Sequence, residues 1–400
     1  MTEFTPKLKL AIIAGEPSGD LLGADLIEAL TKRRSPGAIE LTGVGGEAMA
    51  AQGLRSLFDY HDLSIVGVSA IVARLPKLLT HIHRTTKAII QADPDLLVII
   101  DSPAFSHRVA NKVRKARPNL PVVNYVCPTV WAWKPERASK MTAYVDHILS
   151  IFPFEADIVS QLGGPPLTYV GHRLASDASM RAAISRQLER RKVKRVKNEP
   201  VADKPLCLVL PGSRNGEIKR LLPDFAQTVH LLAERMPQTR FQIPTLPRLE
   251  ASIRASVSDW AVPVEVTTSS EDKWKAFSEA DVALAASGTV LLELALAGIP
   301  CISAYKLDPL AKLIMSRVSA WTVALPNFIA DYPIINEYIN ESVRPALIAR
   351  RLGRLLHQSS EREEMLIGFD AVRDAMQIDR QPAEIAADVV NGILENSHRN

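Results

Sequence analysis

Cysteine is scarce in this sequence and forms no recognisable pattern. The chain has three cysteines in 400 residues, Cys127, Cys207 and Cys301, which are far apart and include no CxxC pair. Neither a disulfide framework nor a structural zinc site is therefore expected, and a reducing cytosol fits this composition.

Long uninterrupted apolar segments are also missing. Residues 1–20 lack the extended apolar core and the small-residue cleavage site of a signal peptide, so no export is expected. A hydropathy window over residues 282–303 suggests a membrane span, but Gly288, Gly298 and Pro300 divide it into strand, helix and strand. Any membrane contact is expected to be peripheral.

A large excess of one charge and a dinucleotide fingerprint are absent as well. The net charge is +4 with a pI near 8.9, too modest to indicate nucleic acid but compatible with anionic substrates or an anionic membrane surface. Residues 15–20, GEPSGD, do not satisfy GxGxxG, so NAD is not expected. We predict no cofactor and no metal.

Residues 206–222, LCLVLPGSRNGEIKRLL, predict a buried strand, a tight turn and a helix start. Backbone amides of such a turn and the helix dipole favour an anion, and Gly212, Ser213 and Arg214 add close approach, a hydroxyl and a forked donor. An ordinary turn with a surface arginine is the alternative for this motif alone.

A second stretch, residues 281–293 (DVALAASGTVLLE), has the same form. Ser287, Gly288 and Thr289 make a glycine turn before a helix, and Glu293 lies one turn into that helix, where it could accept from a ribose diol or merely answer the dipole. Two anion sites in one α/β unit indicate a nucleotide diphosphate.

The N-terminal half opens in the same way, with a strand at residues 8–14, the GEPSGD turn and a helix. The length and this repetition predict an α/β protein with two Rossmann-like parallel-sheet domains facing across a cleft. We place the domains at residues 1–172 and 200–365, with helices at about 370–396 bracing the first. The basic run at 181–197 is interpreted as a solvated helix and linker, with attraction to anionic lipid as the alternative.

Two features of the first domain fall at its expected ligand edge. Asp101 follows an apolar strand, where a carboxylate could take a proton from a substrate hydroxyl, position a substrate or brace a loop. Trp131 and Trp133 could stack on a sugar or cover an acyl chain, or pack in the interior.

An apolar segment with a basic fringe spans residues 65–79. Part of it is expected to be core, and the remainder could form an exposed patch that takes acyl chains or lies on a bilayer. The candidate patch residues are Ile65, Val66, Val68, Ile71, Val72 and Leu75.

These motifs, taken together and in order, resemble the lipid-A-disaccharide synthase family over residues 9–340. The matching stretches are AGEPSGD (14–20), DSPAF (101–105), VWAWKP (130–135), LPGSR (210–214), SGTVLLE (287–293), YK (305–306) and LPN (325–327). Ser106 stands where the family pattern leads us to expect asparagine.

The resemblance implies a GT-B hexosyltransferase of lipid A biosynthesis, peripheral at the cytoplasmic face of a Gram-negative inner membrane. Its substrates would be UDP-2,3-diacylglucosamine and 2,3-diacylglucosamine 1-phosphate (lipid X), joined with inversion to a β-1,6 disaccharide 1-phosphate with release of UDP. The anionic membrane surface and a second copy of the chain are its other candidate partners, and nucleic acid is not one.

The resemblance also implies roles for individual residues. Ser213, Arg214 and the amides at 287–289 would stabilise the leaving diphosphate, Glu293 would hold the ribose, and Asp101 would act as base or position the acceptor. Further substrate contacts are expected at Gly15, Glu16, Ser18, Gly19, Asp20, Trp131, Trp133, Tyr305, Lys306 and Asn327.

Two alternatives stay open at this point. Another UDP-sugar enzyme of the same fold, such as a UDP-GlcNAc epimerase or a transferase acting on a different lipid, would use the same turns, and an epimerase would need no acyl patch. A noncatalytic nucleotide-binding module would bind UDP without transfer.

Overall fold

The computed structural model describes residues 7–35, 37–63, 68–193, 196–308 and 320–397, and of residues 68–75 only the backbone. These residues divide into two compact units. One runs to Arg173 and takes in the chain from Ile378 onward, and the other is Leu174–Gln377.

Each unit is built on a parallel sheet, and within the described residues each sheet has six strands. The strands are β1 (Leu8–Ala14), β2 (Ile39–Val44), β3 (Leu96–Ile100), β4 (Val122–Tyr125), β5 (His147–Ser150), β6 (Leu167–Tyr169), β7 (Leu206–Leu210), β8 (Arg240–Pro244), β9 (Val264–Thr267), β10 (Val282–Ala286), β11 (Cys301–Tyr305) and β12 (Asn336–Ile339). The central strands β3, β7 and β10 are buried along their whole length, as expected when helices cover both faces.

The helices connect and cover these strands. They are α1 (Pro17–Thr31), α2 (Glu47–Ala51), α3 (Val68–Ala92), α4 (Ser106–Ala116), α5 (Arg137–Met141), α6 (Glu155–Gln161), α7 (Arg173–Ser176), α8 (Ala178–Arg191), α9 (Asn215–Arg235), α10 (Glu250–Val257), α11 (Ser270–Glu279), α12 (Thr289–Ala297), α13 (Leu325–Ala330), α14 (Pro345–Leu355), α15 (Ser360–Ala375) and α16 (Pro382–Ser397). Short 3-10 turns lie at Tyr60–Leu63, Pro247–Leu249 and Asn340–Ser342.

Helix α16 returns to the first unit and packs against α1. Its Ala386, Ala387 and Val390 are buried in the same core as β1. The apolar face of this last helix therefore completes the first unit.

Helix α8 belongs to the second unit, because it packs against α11 and α12. Gln187 donates to the carbonyls of Phe277 and Ala280 at 2.7 and 2.9 Å, and Arg190 pairs with Asp281 at 2.6 Å. Part of the basic segment at 181–197 therefore fixes α8 to the second unit.

The order of the strands determines where each sheet has its crevice. The first sheet runs β2-β1-β3-β4-β5-β6, and the second runs β12-β11-β10-β7-β8-β9. Strand order reverses between β1 and β3 and between β7 and β10, and ligands of open parallel sheets bind beyond the carboxyl ends at such points. Among the described residues, the helices include none that is both long and apolar enough for a membrane span.

Candidate active site

The turn after β7 depends on Gly212. Its φ is +107°, and a Cβ at this position would lie 2.9 Å from the Oε2 atom of Glu217. Helix α9 then begins after Arg214, whose side chain makes no capping hydrogen bond at the helix start. The amide of Glu217 already donates to the Arg214 carbonyl at 3.0 Å, so the amides of Asn215 and Gly216 are the ones that a bound anion could contact.

The turn after β10 repeats this arrangement. Gly288 has a φ of +152°, and among the described residues no atom beyond Gly288 and its chain neighbours lies within 4 Å of the position a Cβ would take. Helix α12 begins at the next residue without a side-chain cap. Open space, a glycine turn and a helix start favour close approach of an anion.

Both turns line one cavity of about 650 Å³ in the second unit, at the carboxyl ends of β7, β8, β9 and β10. The structure brings together here all seven residues predicted for the diphosphate and ribose: Gly212, Ser213, Arg214, Ser287, Gly288, Thr289 and Glu293. The cavity lies at the switch point between β7 and β10, so its position and its electropositive helix starts suit a nucleotide diphosphate.

Glu293 has a cationic partner that sequence reasoning missed. Lys273, on α11, contacts both carboxylate oxygens of Glu293 at 2.9 and 2.8 Å and also lines the cavity. Its ammonium lies 4.7 Å from the centre of the Trp274 ring. Glu293 is therefore held as an oriented carboxylate, an arrangement that suits acceptance from a diol.

Glu217, in the first turn of α9, connects two predicted residues. Its Oε1 accepts from Arg214 Nη1 at 2.9 Å and from the Tyr305 hydroxyl at 3.3 Å. Burial, with the neighbouring Glu217 charge, raises the pKa of Tyr305, which keeps the hydroxyl a donor. Lys306 instead pairs with Asp224 of α9, and its carbonyl accepts from Arg220.

Asn327 is an interior residue in this structure. It is 1% exposed, its Oδ1 accepts from the amides of Ile334 and Ile335 at 3.0 and 2.8 Å, and its Nδ2 donates to Thr322 at 3.1 Å. The Val323 carbonyl of the same loop accepts from Ser287 at 3.5 Å. The observed role of Asn327 is to brace a loop beside the Ser287 turn, and its direct contact with substrate stays a prediction.

In the first unit, Asp101 lies in a strained turn at the β1–β3 switch point. Asp101 and Ser102 have φ values of +51° and +50°, uncommon for residues other than glycine and often found at functional sites. Asp101 Oδ1 accepts from the Ser102 amide at 2.7 Å, and Ser106 Oγ donates to the Asp101 carbonyl at 2.5 Å. A Cβ on Gly15 would lie 2.3 Å from Ser102 Oγ, so the GEPSGD turn packs directly on this one.

The other GEPSGD residues divide between surface and interior. Glu16 and Ser18 are exposed at the start of α1, whereas Gly19 is buried. Asp20 is 4% exposed and accepts from the amides of Gly46 and Ala48 at 2.7 and 2.9 Å. The observed role of this carboxylate is to cap α2, and a substrate contact for it remains a prediction.

Trp131 is half-buried and fixed by a buried acid. Its Nε1 donates to Glu155 Oε1 at 3.1 Å, and its ring meets that of Phe154 edge-on at 5.3 Å. Burial raises the pKa of Glu155 to about 7, although hydrogen bonds from Ser150 and Trp131 lower it. Trp133 is half-buried too, with Lys134 Nζ 5.3 Å from its ring centre.

The predicted acyl patch is not characterised by this structure. Ile65 and Val66 lie outside the described residues, as do the side chains of Val68, Ile71, Val72 and Leu75. Elsewhere in the described chain, no group of three or more His, Cys, Asp or Glu side chains is arranged to hold a metal ion.

Comparison of the sequence with known proteins identifies the family that this chain matches. The sequence model of a family described as lipid-A-disaccharide synthetase matches residues 10–389. A lipid-A-disaccharide synthase of Nitrobacter winogradskyi is 42% identical over 394 residues, 98% of this chain and 97% of that one. One of Bradyrhizobium diazoefficiens is 39% identical over 396 residues, 98% of each chain.

Solved structures resemble the chain in fold. Acinetobacter baumannii MurG has a TM-score of 0.59 at 14% identity, covering 97% of this chain and 100% of that one. The S. aureus MnaA–UDP co-structure has a TM-score of 0.57 at 13% identity, covering 96% of each chain. The predicted α/β class and GT-B fold are confirmed.

Proposed function

Because the chain belongs to the lipid-A-disaccharide synthase family, and so to the glycosyltransferases of lipid A biosynthesis, we propose the specific reaction that it catalyses. It transfers the diacylglucosaminyl group of UDP-2,3-diacylglucosamine to the 6-hydroxyl of 2,3-diacylglucosamine 1-phosphate (lipid X). The bond from the anomeric carbon to the UDP oxygen breaks, a bond to the acceptor oxygen forms on the opposite face, and the products are the β-1,6 disaccharide 1-phosphate and UDP.

One observation carries this proposal: the cavity of the second unit, in which two glycine turns and two helix starts converge. As the anomeric bond breaks, negative charge grows on the departing diphosphate. Ser213, Arg214 and the amides at 287–289 stabilise that charge, and because they are in position beforehand they need no reorganisation during the reaction. Glu293, oriented by Lys273, accepts from the ribose hydroxyls.

The acceptor side of the reaction needs a group that takes the proton of the 6-hydroxyl. Asp101 is our candidate, either as this base or as the residue that positions the acceptor. The support is its place at the carboxyl end of β3 on a turn with two positive φ values. Trp131 and Trp133 are proposed to contact the acceptor or its acyl chains.

The protein is proposed to act peripherally at the cytoplasmic face of the inner membrane, where both lipid substrates would lie. Its net charge of +4 supports contact with anionic headgroups. Co-sedimentation with vesicles containing an anionic lipid, and its loss at high salt, tests this.

The test of function is direct. Purified protein is incubated with both diacylated sugars, UDP release is followed, and the product linkage is assigned by NMR. We expect stoichiometric UDP and β-1,6 disaccharide, with little UDP when the acceptor is omitted, and a large loss of turnover in Asp101→Asn. Epimerisation of UDP-GlcNAc, or UDP binding without transfer, would instead support the two alternatives; a repeat with chelator tests whether a metal is needed.

A further inference from the structure

A carboxylate lines the cavity where a diphosphate is proposed to bind. Glu217 is 8% exposed, and it belongs to the first turn of α9, the helix start that faces the anion. An acid in the first turn of a helix is stabilised by the helix dipole, but this carboxylate also lies among the groups proposed to hold the diphosphate, which is itself an anion. This arrangement needs a reason beyond helix stability.

The contacts of Glu217 show what it does to its neighbours. Oε1 accepts from Arg214 Nη1 at 2.9 Å and from the Tyr305 hydroxyl at 3.3 Å, and Oε2 lies 2.9 Å from the place where a Cβ on Gly212 would be. One carboxylate thus binds the arginine of the turn and a tyrosine from β11, and it occupies the space beside the glycine of the turn. The hydrogen bond to Arg214 restricts where its guanidinium can be, and the hydrogen bond from Tyr305 fixes the carboxylate.

The same carboxylate competes with a bound nucleotide. Arg214 is the cation in this turn, and both Glu217 and a diphosphate would take its donors. Two like charges that share one partner also repel each other, although the Arg214 side chain is 64% exposed and water weakens this repulsion. Glu217 must therefore weaken binding of UDP relative to a neutral side chain that makes the same hydrogen bond.

We propose that Glu217 is a positioning residue that orients Arg214 before the nucleotide binds and limits the affinity for UDP, so that the product leaves after transfer. This inference rests on the proposed function. When the diphosphate is present, Arg214 donates to it, and the Tyr305 hydroxyl continues to donate to Glu217. When UDP leaves, Arg214 returns to the carboxylate.

The decisive variant is Glu217→Gln, which keeps an acceptor for Arg214 and removes the charge. UDP binding is measured by calorimetry, and turnover is measured with both diacylated substrates. We expect UDP to bind about tenfold more tightly, a change of about 1.4 kcal/mol. Product inhibition by UDP should strengthen in parallel, and kcat and the donor KM should fall together because release becomes slower. A purely structural role would lower the melting temperature without tighter UDP binding.

Glu234→Gln is the matched control, since Glu234 lies near the other end of α9 with a side chain 59% exposed. It should leave UDP affinity and kcat unchanged. Tyr305→Phe is a second test that does not depend on how Glu217→Gln folds. Without the hydroxyl, the carboxylate holds Arg214 more firmly, and UDP should bind several-fold more weakly.

The outcomes separate this inference from the function on which it rests. A folded Glu217→Gln protein that binds UDP no more tightly than the unaltered protein, or a Tyr305→Phe protein with unweakened UDP binding, overturns the inference alone. Failure of the unaltered protein to bind UDP overturns the proposed function and the inference with it.

Discussion

Substituting alanine at three glycines separates the cost of backbone strain from the loss of a binding site. Gly212, Gly288 and Gly163 all have positive φ, at +107°, +152° and +64°. The first two form the turns that line the cavity, whereas Gly163 is exposed in the loop after α6 of the first unit. In the part of the chain that the structure describes, no atom beyond Gly163 and its chain neighbours lies within 4 Å of the place where its Cβ would be.

The expected magnitudes differ for a physical reason. At Gly163 an alanine introduces only the strain of a left-handed backbone, so the unfolding free energy should fall by about 1 kcal/mol. At Gly288 the conformation is close to one that only glycine adopts readily, so the loss is about 1–3 kcal/mol. At Gly212 the new Cβ also meets Glu217 Oε2 at 2.9 Å, but this atom ends a flexible side chain that can shift, so the loss is again about 1–3 kcal/mol.

Chemical denaturation gives these losses, and calorimetry with UDP gives the binding. Relief of the strain at Gly212 or Gly288 must move amides that we propose to hold the diphosphate, so UDP affinity should fall at least about tenfold in both variants. Gly163→Ala should bind UDP like the unaltered protein. If Gly212→Ala and Gly288→Ala lose stability as expected but keep full UDP affinity, the turns do not hold the diphosphate.

Three further predictions concern single side chains. Burial raises the pKa of Glu155 to about 7 from an ordinary 4.5, so its contribution to stability is complete below about 4.5 and is lost as the pH rises through 7. In chemical denaturation, the unfolding free energy of Glu155→Gln relative to that of the unaltered protein should therefore be about 3 kcal/mol more favourable at pH 8 than at pH 4. The same difference at both pH values would contradict this. Asn327→Asp replaces a donor to Thr322 by an acceptor, so the unfolding free energy should fall by about 2–4 kcal/mol in denaturation experiments; an unchanged stability with a raised KM would instead indicate substrate contact. In calorimetry, the unaltered protein should bind UDP about tenfold or more tightly than 2′,3′-dideoxy-UDP, because a hydrogen bond to a charged group contributes about 1.5–3 kcal/mol. Glu293→Ala should lose this preference. If the preference survives, Glu293 does not bind the ribose.

The fold and both turns could be predicted because their signals are local. A buried apolar run, a glycine with positive φ and a helix start lie within about ten residues of one another, and the structure has β7 at Leu206–Leu210 and β10 at Val282–Ala286. The order of the two motifs in the chain was enough to indicate one site, because parallel strands present their carboxyl ends at the same edge.

What could not be predicted depends on packing between distant elements. Lys273 reaches Glu293 only because α11 packs beside α12, and Glu217 reaches Tyr305 only because β11 lies beyond β10. Neither pair of residues has a characteristic spacing in the sequence from which its contact could be predicted. The burial of Asn327 likewise follows from amides that return to it from Ile334 and Ile335.

The position of α8 shows a second kind of limit. The basic composition of residues 181–197 indicates a solvated segment, yet the first part of it is anchored by Gln187 and Arg190 to the end of α11 and the start of β10. Charged side chains pair with partners that composition alone does not reveal.

The central claim is that the two glycine turns of the second unit hold the diphosphate of UDP, and a crystal structure of the protein with UDP tests it most directly. The account predicts phosphate oxygens within hydrogen-bond distance of the backbone amides at 213–215 and 287–289 and of the Arg214 guanidinium, with the ribose hydroxyls on Glu293. A diphosphate bound outside the cavity lined by Gly212 and Gly288, or contacting one turn alone, would contradict it.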